Sequence, residues 1–180
     1  MENIINKIKS YYPVSDESIR LITSCFKKHL FPAKTILIRA GKFDRHVYFI
    51  ERGITRSYIL HEGKEITTWF SLEGDAVCGS WDLYRNKSGF EYVETLEPTV
   101  VYSISIESLN NLYIRNIDIA NWMRVLQQEN FLWLQDMHIN RLILPVKERY
   151  IELLQRFPSL FQRQCPQFCV NEKTGFRYIF

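Results

Sequence analysis

The chain lacks the features that mark a secreted, membrane-bound or metal-binding protein. Its N-terminus, MENIINKIKSYY, has no apolar core of a signal peptide. No stretch approaches the roughly 18 uncharged apolar residues that a membrane helix needs. The four cysteines form no CxxC pair, and the nearest two lie in a polar tail without a histidine: Cys25, Cys78, Cys165 and Cys169. We therefore predict a cytoplasmic protein, in a reducing setting, without a membrane span or a metal site.

Sequence signatures of catalysis are missing as well. The sequence contains no GxSxG elbow, Walker loop, HExxH motif or DxDxDG loop. A lone Cys25 cannot hold an iron–sulfur cluster. The histidines His29, His46, His61 and His138 are isolated, which favours surface positions over haem ligation. We predict that the protein is not an enzyme and has no cofactor, with a small-molecule effector of unknown identity left open.

Strong charge of either sign is also absent. The net charge is +3, and the densest basic cluster is FKKHL at 26–30, which we place on a helix. This mild excess permits a nucleic-acid partner without arguing for one. With 180 residues, 46% of them hydrophobic, the chain is large enough for one well-buried core plus a short appendage.

Helical patterns occupy residues 1–30. Ile4, Ile5 and Ile8 recur at helical spacing before Pro13, which ends that helix. A second helix is predicted from PVSDESIRLITSCFKKHL, with Ser15 as its N-cap. Its buried stripe consists of Ile19, Ile22 and Phe26.

After Leu30 the pattern changes to short strands separated by glycine turns. Turns are predicted at Gly53, Gly63 and Gly74. Many short strands at this spacing are typical of a β-barrel or β-sandwich. The strand segments are KTILIRAG, HVYFIERGITRSYIL, HEGKEITTWFSLEGD, FEYVETL and TVVYSISI.

A long helix is predicted from about Asp118 to Leu144, and a short amphipathic helix, VKERYIELLQRF, follows Pro145. At 1.5 Å per residue the long helix spans about 40 Å, more than one small β-domain covers. We predict that it pairs with a second copy in a homodimer; the alternative is that it packs on its own barrel. The predicted interface consists of Ile119, Trp122, Leu126, Glu129, Trp133 and Asn140, with Val125, Leu132, Ile139 and Leu142 widening the stripe.

The order of these elements resembles the Crp/Fnr family of bacterial transcription regulators. The resemblance rests on FPAKTILIRAGKFDRHVYFIERGITRSYI (31–59), GKEITTWFSLEGDAVCG (63–79) and LEPTVVYSISIESLNNL (96–112). It implies a mostly β fold with added helices, in which a double-stranded β-helix (jelly roll) acts as the sensor. The implied divisions are N-terminal helices in 1–30, a cyclic-nucleotide-binding-like β-roll in 31–112, a dimerisation helix in 113–144, and 145–180 in place of the DNA-binding domain.

The segment GDAVCGSWDLYRNKSGFEYVE (74–94) stands where family members hold a cyclic nucleotide. By resemblance, Gly79 matches the family's glycine, but Ser80 replaces its glutamate. Phe90 and Glu91 replace the arginine–serine pair that clamps the phosphate. An aromatic ring and a carboxylate oppose a phosphate, so we predict no useful affinity for cyclic AMP.

Two interpretations of this segment stay open. One is a pocket for an apolar or cationic ligand, lined by Trp69, Trp81, Phe90 and Tyr92. The other is a filled β-roll in which those aromatic side chains are core. Strand alternation places Phe90 and Tyr92 on one face and Glu91 on the other, towards solvent.

The last 23 residues, 158–180, show no helical stripe and no recognition segment. We predict that this tail is irregular or packs as a short extended piece, and we name no DNA-binding residues. The functional prediction is the sensor and dimerisation part of a Crp/Fnr-type transcription regulator that does not respond to cyclic AMP. The alternative is a stand-alone ligand-sensing or dimerisation module that acts through protein partners without binding DNA.

Overall fold

The structure is a computed structural model that describes residues 1–156 and 158–163. Two N-terminal helices precede eight strands, a short helix interrupts the strands, and four helices follow. Their bounds are α1 Glu2–Tyr11, α2 Asp16–Ser24, β1 Lys27–Phe31, β2 Ile36–Ile38, β3 His46–Arg52, β4 Thr55–His61, β5 Lys64–Ser71, β6 Ala76–Cys78, α3 Ser80–Arg85, β7 Tyr92–Thr95, β8 Thr99–Ser105, α4 Ile106–Arg115, α5 Ile117–Ile143, α6 Val146–Arg156 and α7 Pro158–Arg163.

The strands form two four-stranded antiparallel sheets that face each other as a jelly roll. The first has the order β1-β8-β3-β6 and the second β2-β7-β4-β5. Alternate side chains point into the roll, since successive residues of a strand face opposite ways. The interior is filled by Ile38, Tyr48, Ile50, Val77, Val93 and Val101. The predicted fold class is confirmed.

A second core lies between the β1-β8-β3-β6 sheet and the helices. Phe49 and Ile104 point out of the roll towards α1, α2, α4 and the first half of α5. The ring of Trp122 in α5 lies 6.0 Å from that of Phe49, centroid to centroid. The helices therefore cover the outer face of the sheet around β3 and β8 and fix the start of α5 against the roll.

The second N-terminal helix is shorter than expected. Ser15 caps it as predicted, accepting a hydrogen bond from the backbone N–H of Ser18. The helix ends at Ser24, and the FKKHL segment is not helical, because Lys27–Phe31 pairs with β8 along its full length. Backbone pairing with an existing strand outweighs the weak helical preference of this stretch.

The long helix α5 has 27 residues and lies within one residue of its predicted bounds. Its first half is buried by its own chain, as Ile119, Trp122 and Leu126 belong to the second core. Trp133 is buried too, against Trp69 of β5. These four side chains are buried within their own chain and expose little surface to a second copy. The interface as a whole stays a prediction.

The other two residues of the predicted interface are not buried in the core. Glu129 is exposed, and the side-chain amide of Asn140 donates a hydrogen bond of 2.9 Å to Glu152 of α6. Asn140 thus holds α6 against α5 of the same chain. The packing of the helix on its own barrel, the alternative interpretation, holds for its first half.

The segment after α6 begins with a helix rather than an irregular tail. Helix α7 places Arg163 against the β-roll, where Nη1 lies 2.8 Å from Glu73 Oε1 and Nη2 contacts Glu97. The rest of the predicted tail, residues 164–180, lies outside the described residues, as do Cys165 and Cys169.

Candidate ligand site

The segment 74–94, which by resemblance stands at the phosphate-binding stretch of the family, folds around a small cavity. β6 leads through Gly79 into α3, and Asn86 ends α3 with a left-handed φ of 52°. The chain then returns through Gly89 to the start of β7. Between α3, the β2–β3 loop and this return lies a cavity of about 80 Å³. Five predicted residues line it: Gly79, Ser80, Trp81, Phe90 and Glu91.

Two predicted pocket residues do not reach this cavity. Trp69 lies on an edge strand, where its ring meets Trp133 of α5. Tyr92 stacks on Tyr58 of the neighbouring strand, with ring centroids 5.2 Å apart. Both aromatic rings are packing residues of the second sheet, as the filled-core interpretation expects.

The orientation of Glu91 differs from the expectation. β7 begins only at Tyr92, so strand alternation does not extend to Phe90 and Glu91, and both side chains line the cavity. Glu91 is half-buried rather than turned to solvent. Burial raises the pKa of its carboxyl group.

Sequence reasoning missed two carboxylates of the site, Asp44 and Asp82. Asp82 is 4% exposed, and its Oδ2 accepts the backbone N–H groups of Asp44 at 2.9 Å and Arg45 at 2.7 Å. These bonds tie α3 to the β2–β3 loop. The two segments are 38 residues apart in the chain, and no local pattern predicts that they meet.

The three carboxylates make the interior of the site acidic. Asp44 Oδ1 accepts a 2.8 Å hydrogen bond from the hydroxyl of Tyr48, yet burial and, to a smaller degree, the charge of Asp82 raise the pKa of Asp44. Nearby, burial and the charges of Glu91, Asp82 and Asp44 raise the pKa of the Cys78 thiol to about 12. A negative charge brought here meets repulsion as well as desolvation.

Cations are confined to the edge of the site. Arg39 and Lys42 line the cavity from exposed positions on the β2–β3 loop. Arg85 of α3 is exposed and lies outside the lining. Its guanidinium carbon is 5.2 Å from the ring centroid of Trp81. Lys87 is exposed and also outside the lining.

Comparison with known proteins identifies the β-roll. A family profile described as "Cyclic nucleotide-binding domain" matches residues 28–116. The chain carries a cyclic nucleotide-binding domain. No curated protein sequence matches the chain.

Solved structures share the arrangement of the domain and its helices. Thermus thermophilus catabolite activator protein superposes with a TM-score of 0.64 at 18% identity, over 87% of this chain and 71% of that one. The regulator CLP of Xanthomonas campestris, described as responsive to c-di-GMP, superposes with a TM-score of 0.63 at 16% identity, over 88% of this chain and 77% of that one. A cyclic nucleotide-binding domain from Methylobacillus flagellatus superposes with a TM-score of 0.66 at 16% identity, over 80% of this chain and 82% of that one. At these identities the likeness shows the fold and leaves the ligand open.

Three further features concern only the described residues. None of their helices is long and apolar enough to cross a membrane. They hold no group of three or more metal-ligating His, Cys, Asp or Glu side chains. No winged helix-turn-helix lies in residues 1–156 or 158–163.

Proposed function

We propose that this chain is the sensing and dimerising part of a Crp/Fnr-type transcription regulator that does not respond to cyclic AMP. The cyclic nucleotide-binding domain and its likeness to two regulators over more than four-fifths of the chain support the regulator assignment. The observation that carries the loss of response is the set of three carboxylates, Asp44, Asp82 and Glu91, lining the cavity.

A cyclic nucleotide presents a phosphate anion, which needs N–H donors and a cation to replace its water. The cavity has two exposed cationic side chains at its edge and three carboxylates inside. A phosphate buried there would lose its water without gaining a buried cation, so its burial opposes binding. Its volume is about 80 Å³, below the roughly 300 Å³ at which ligand pockets begin. Charge and size both argue against a nucleotide.

The second half of α5 supports the homodimer. Leu132, Ile139 and Leu142 are exposed there, and the spacing of Val125, Leu132 and Ile139 is the heptad of a helix–helix interface. An exposed apolar stripe of this kind is stabilised by a matching surface, and in a homodimer the same stripe of the second copy provides it. The interface we propose therefore lies towards the C-terminal end of the helix.

A calorimetric titration with cyclic AMP and cyclic GMP tests the loss of nucleotide response. We expect no binding heat at micromolar to millimolar nucleotide, while a domain that binds cyclic AMP gives a normal isotherm in the same buffer. Micromolar binding by this chain would contradict the proposal and would make Arg39 or Lys42 the phosphate ligand.

A second candidate function is a stand-alone sensing or dimerisation module that acts through protein partners. The exposed side chains of Leu132, Ile139 and Leu142 also fit this function, because an apolar stripe can contact another protein. An electrophoretic shift assay with genomic DNA fragments separates the two. A specific shift that weakens with salt supports the regulator, whereas retained dimers without a shift support the stand-alone module.

A further inference from the structure

We infer that the cavity beside α3 binds a small organic ammonium ion, of the size of tetramethylammonium or choline, where a relative would hold a cyclic nucleotide. The inference deepens the proposed function, because it names a ligand class for the same sensing site. It rests on the incompletely paired carboxylates of the cavity, its aromatic pair and its volume.

The carboxylates are incompletely paired. Asp82 Oδ1 and Asp44 Oδ2 are buried and accept no hydrogen bond from the described residues. Arg45 Nε lies 3.4 Å from Asp82 Oδ1, but Arg45 is half exposed, and His46 Nδ1 is 4.0 Å from Asp44 Oδ2. Glu91, lining the same cavity, forms no hydrogen bond or ion pair within the described part of the chain. Buried negative charge without full pairing is costly, and a cationic ligand removes that cost.

The aromatic side chains fit a cation as well. Trp81 and Phe90 both line the cavity and pack edge to face, with ring centroids 5.5 Å apart. Ring faces attract ammonium and guanidinium groups within about 6 Å of the centroid, and tryptophan does so most strongly. Arg85 already holds its guanidinium carbon at 5.2 Å from the ring of Trp81. This contact lies outside the cavity lining, so it leaves the cavity itself open to a ligand.

The volume sets the size of the ligand. One water needs about 10–15 Å³ by the same measure, so the cavity of about 80 Å³ takes a group of roughly five to eight non-hydrogen atoms. Tetramethylammonium has about five and choline about seven. A hard metal ion prefers a cage of oxygen ligands, and the described residues hold no such cluster. Alkylammonium ions instead suit a site that combines carboxylates with ring faces.

The test is a calorimetric titration of the full chain with choline chloride. The matched probe is 3,3-dimethylbutan-1-ol, which has the shape of choline without its charge, and sodium chloride at equal ionic strength is the blank. We expect saturable choline binding and at least about tenfold weaker binding of the alcohol, because the uncharged probe loses both the attraction of the carboxylates and the cation–ring contact. The indole N–H signal of Trp81, assigned with Trp81→Phe, should shift with choline.

Two variants test whether the cavity recognises the positive charge of choline or only its apolar shape. Glu91→Gln keeps the shape of the side chain and should weaken choline about tenfold, whereas Glu62→Gln in the exposed β4–β5 turn should leave the affinity unchanged. Equal binding of choline and the alcohol, an unchanged affinity of Glu91→Gln, or no saturable choline binding would each overturn the inference. None of these outcomes bears on the proposed loss of nucleotide response. That proposal is contradicted only by binding of cyclic AMP or cyclic GMP.

Discussion

The indole of Trp122 in α5 lies 6.0 Å from the phenyl ring of Phe49 in β3, with an angle of 36° between the ring planes. Both side chains are at most 2% exposed. The contact joins the long helix to the outer face of the β-roll, so the first half of α5 belongs to the domain. The exposed apolar stripe that we propose as the dimer interface lies in the second half.

Truncating Trp122 should therefore unfold the domain more easily without changing its association through the second half of α5. We expect Trp122→Ala to lower the free energy of unfolding by about 3–5 kcal/mol, the usual cost of removing a buried large aromatic side chain. Urea denaturation followed by circular dichroism measures it. Ile114→Ala, at a side chain in α4 that is 84% exposed and outside the proposed interface, is the matched control and should cost less than about 1 kcal/mol. A similar loss in both variants would contradict the buried role of Trp122.

The dimer interface can be tested on the exposed half of the helix. The double change Leu132→Glu and Ile139→Glu places four like charges in a paired interface, so we expect the mass from light scattering to fall from dimer to monomer. The control is Leu134→Glu, also on an exposed leucine but on the opposite side of the helix, since two residues turn it by about 200°. Loss of the dimer in the control alone would place the interface on the other face.

The sequence predicted much of the fold because the local signals agreed with the tertiary structure. Glycine turns and apolar alternation located β3, β4 and β5, and a serine cap located α2. The failures arose where distant segments meet. β1 is a strand because β8 pairs with it, and Trp133 is buried because Trp69 of β5 lies against it.

In the candidate site too, the sequence predicted the residues that are close in the chain and missed those that distant segments bring together. Gly79 through Trp81 and Phe90 with Glu91 were found because they are close in the chain and stand at positions of a known pattern. Asp44 came from a loop with no pattern of its own, and only the hydrogen bonds from its backbone and that of Arg45 to Asp82 bring it to the cavity. Alternation failed for Glu91 because the strand starts one residue later.

Gly53 and Gly41 both have a left-handed backbone φ but differ in the space available to a side chain. Replacing each with alanine therefore separates the cost of a steric clash from the cost of backbone strain. Gly53 has a φ of 120°, and a Cβ built on it would lie 2.5 Å from Thr99 Oγ1 and 2.9 Å from the Thr99 Cα. Gly53→Ala therefore needs a backbone shift, and we expect a loss of about 3 kcal/mol or more in urea denaturation. Gly41 has a φ of 74° with no atom within 4 Å of such a Cβ, so Gly41→Ala should cost about 1–2 kcal/mol from strain alone. Equal losses would contradict the close approach of Thr99.

The raised pKa of Glu91 makes the stability of the domain depend on pH. Burial favours the protonated form, so the folded state binds this proton more tightly than the unfolded chain does. The resulting stabilisation is fully present below the unfolded pKa and is lost as the pH rises through the folded pKa. Above the folded pKa the carboxylate is ionised, and its burial then destabilises the empty site.

Glu91→Gln removes that charge while keeping the shape of the side chain. We expect the variant to melt at a higher temperature than the parent at pH 7 and at nearly the same temperature at pH 3.5, where the parent carboxyl is protonated. Thermal melts at both pH values check this, with Glu62→Gln as the exposed control. Saturating choline should reduce the advantage of the variant at pH 7, because a bound cation stabilises the parent carboxylate and binds the glutamine variant less well. A variant less stable than the parent at pH 7 without ligand would show that an unrecognised cation already pairs with Glu91.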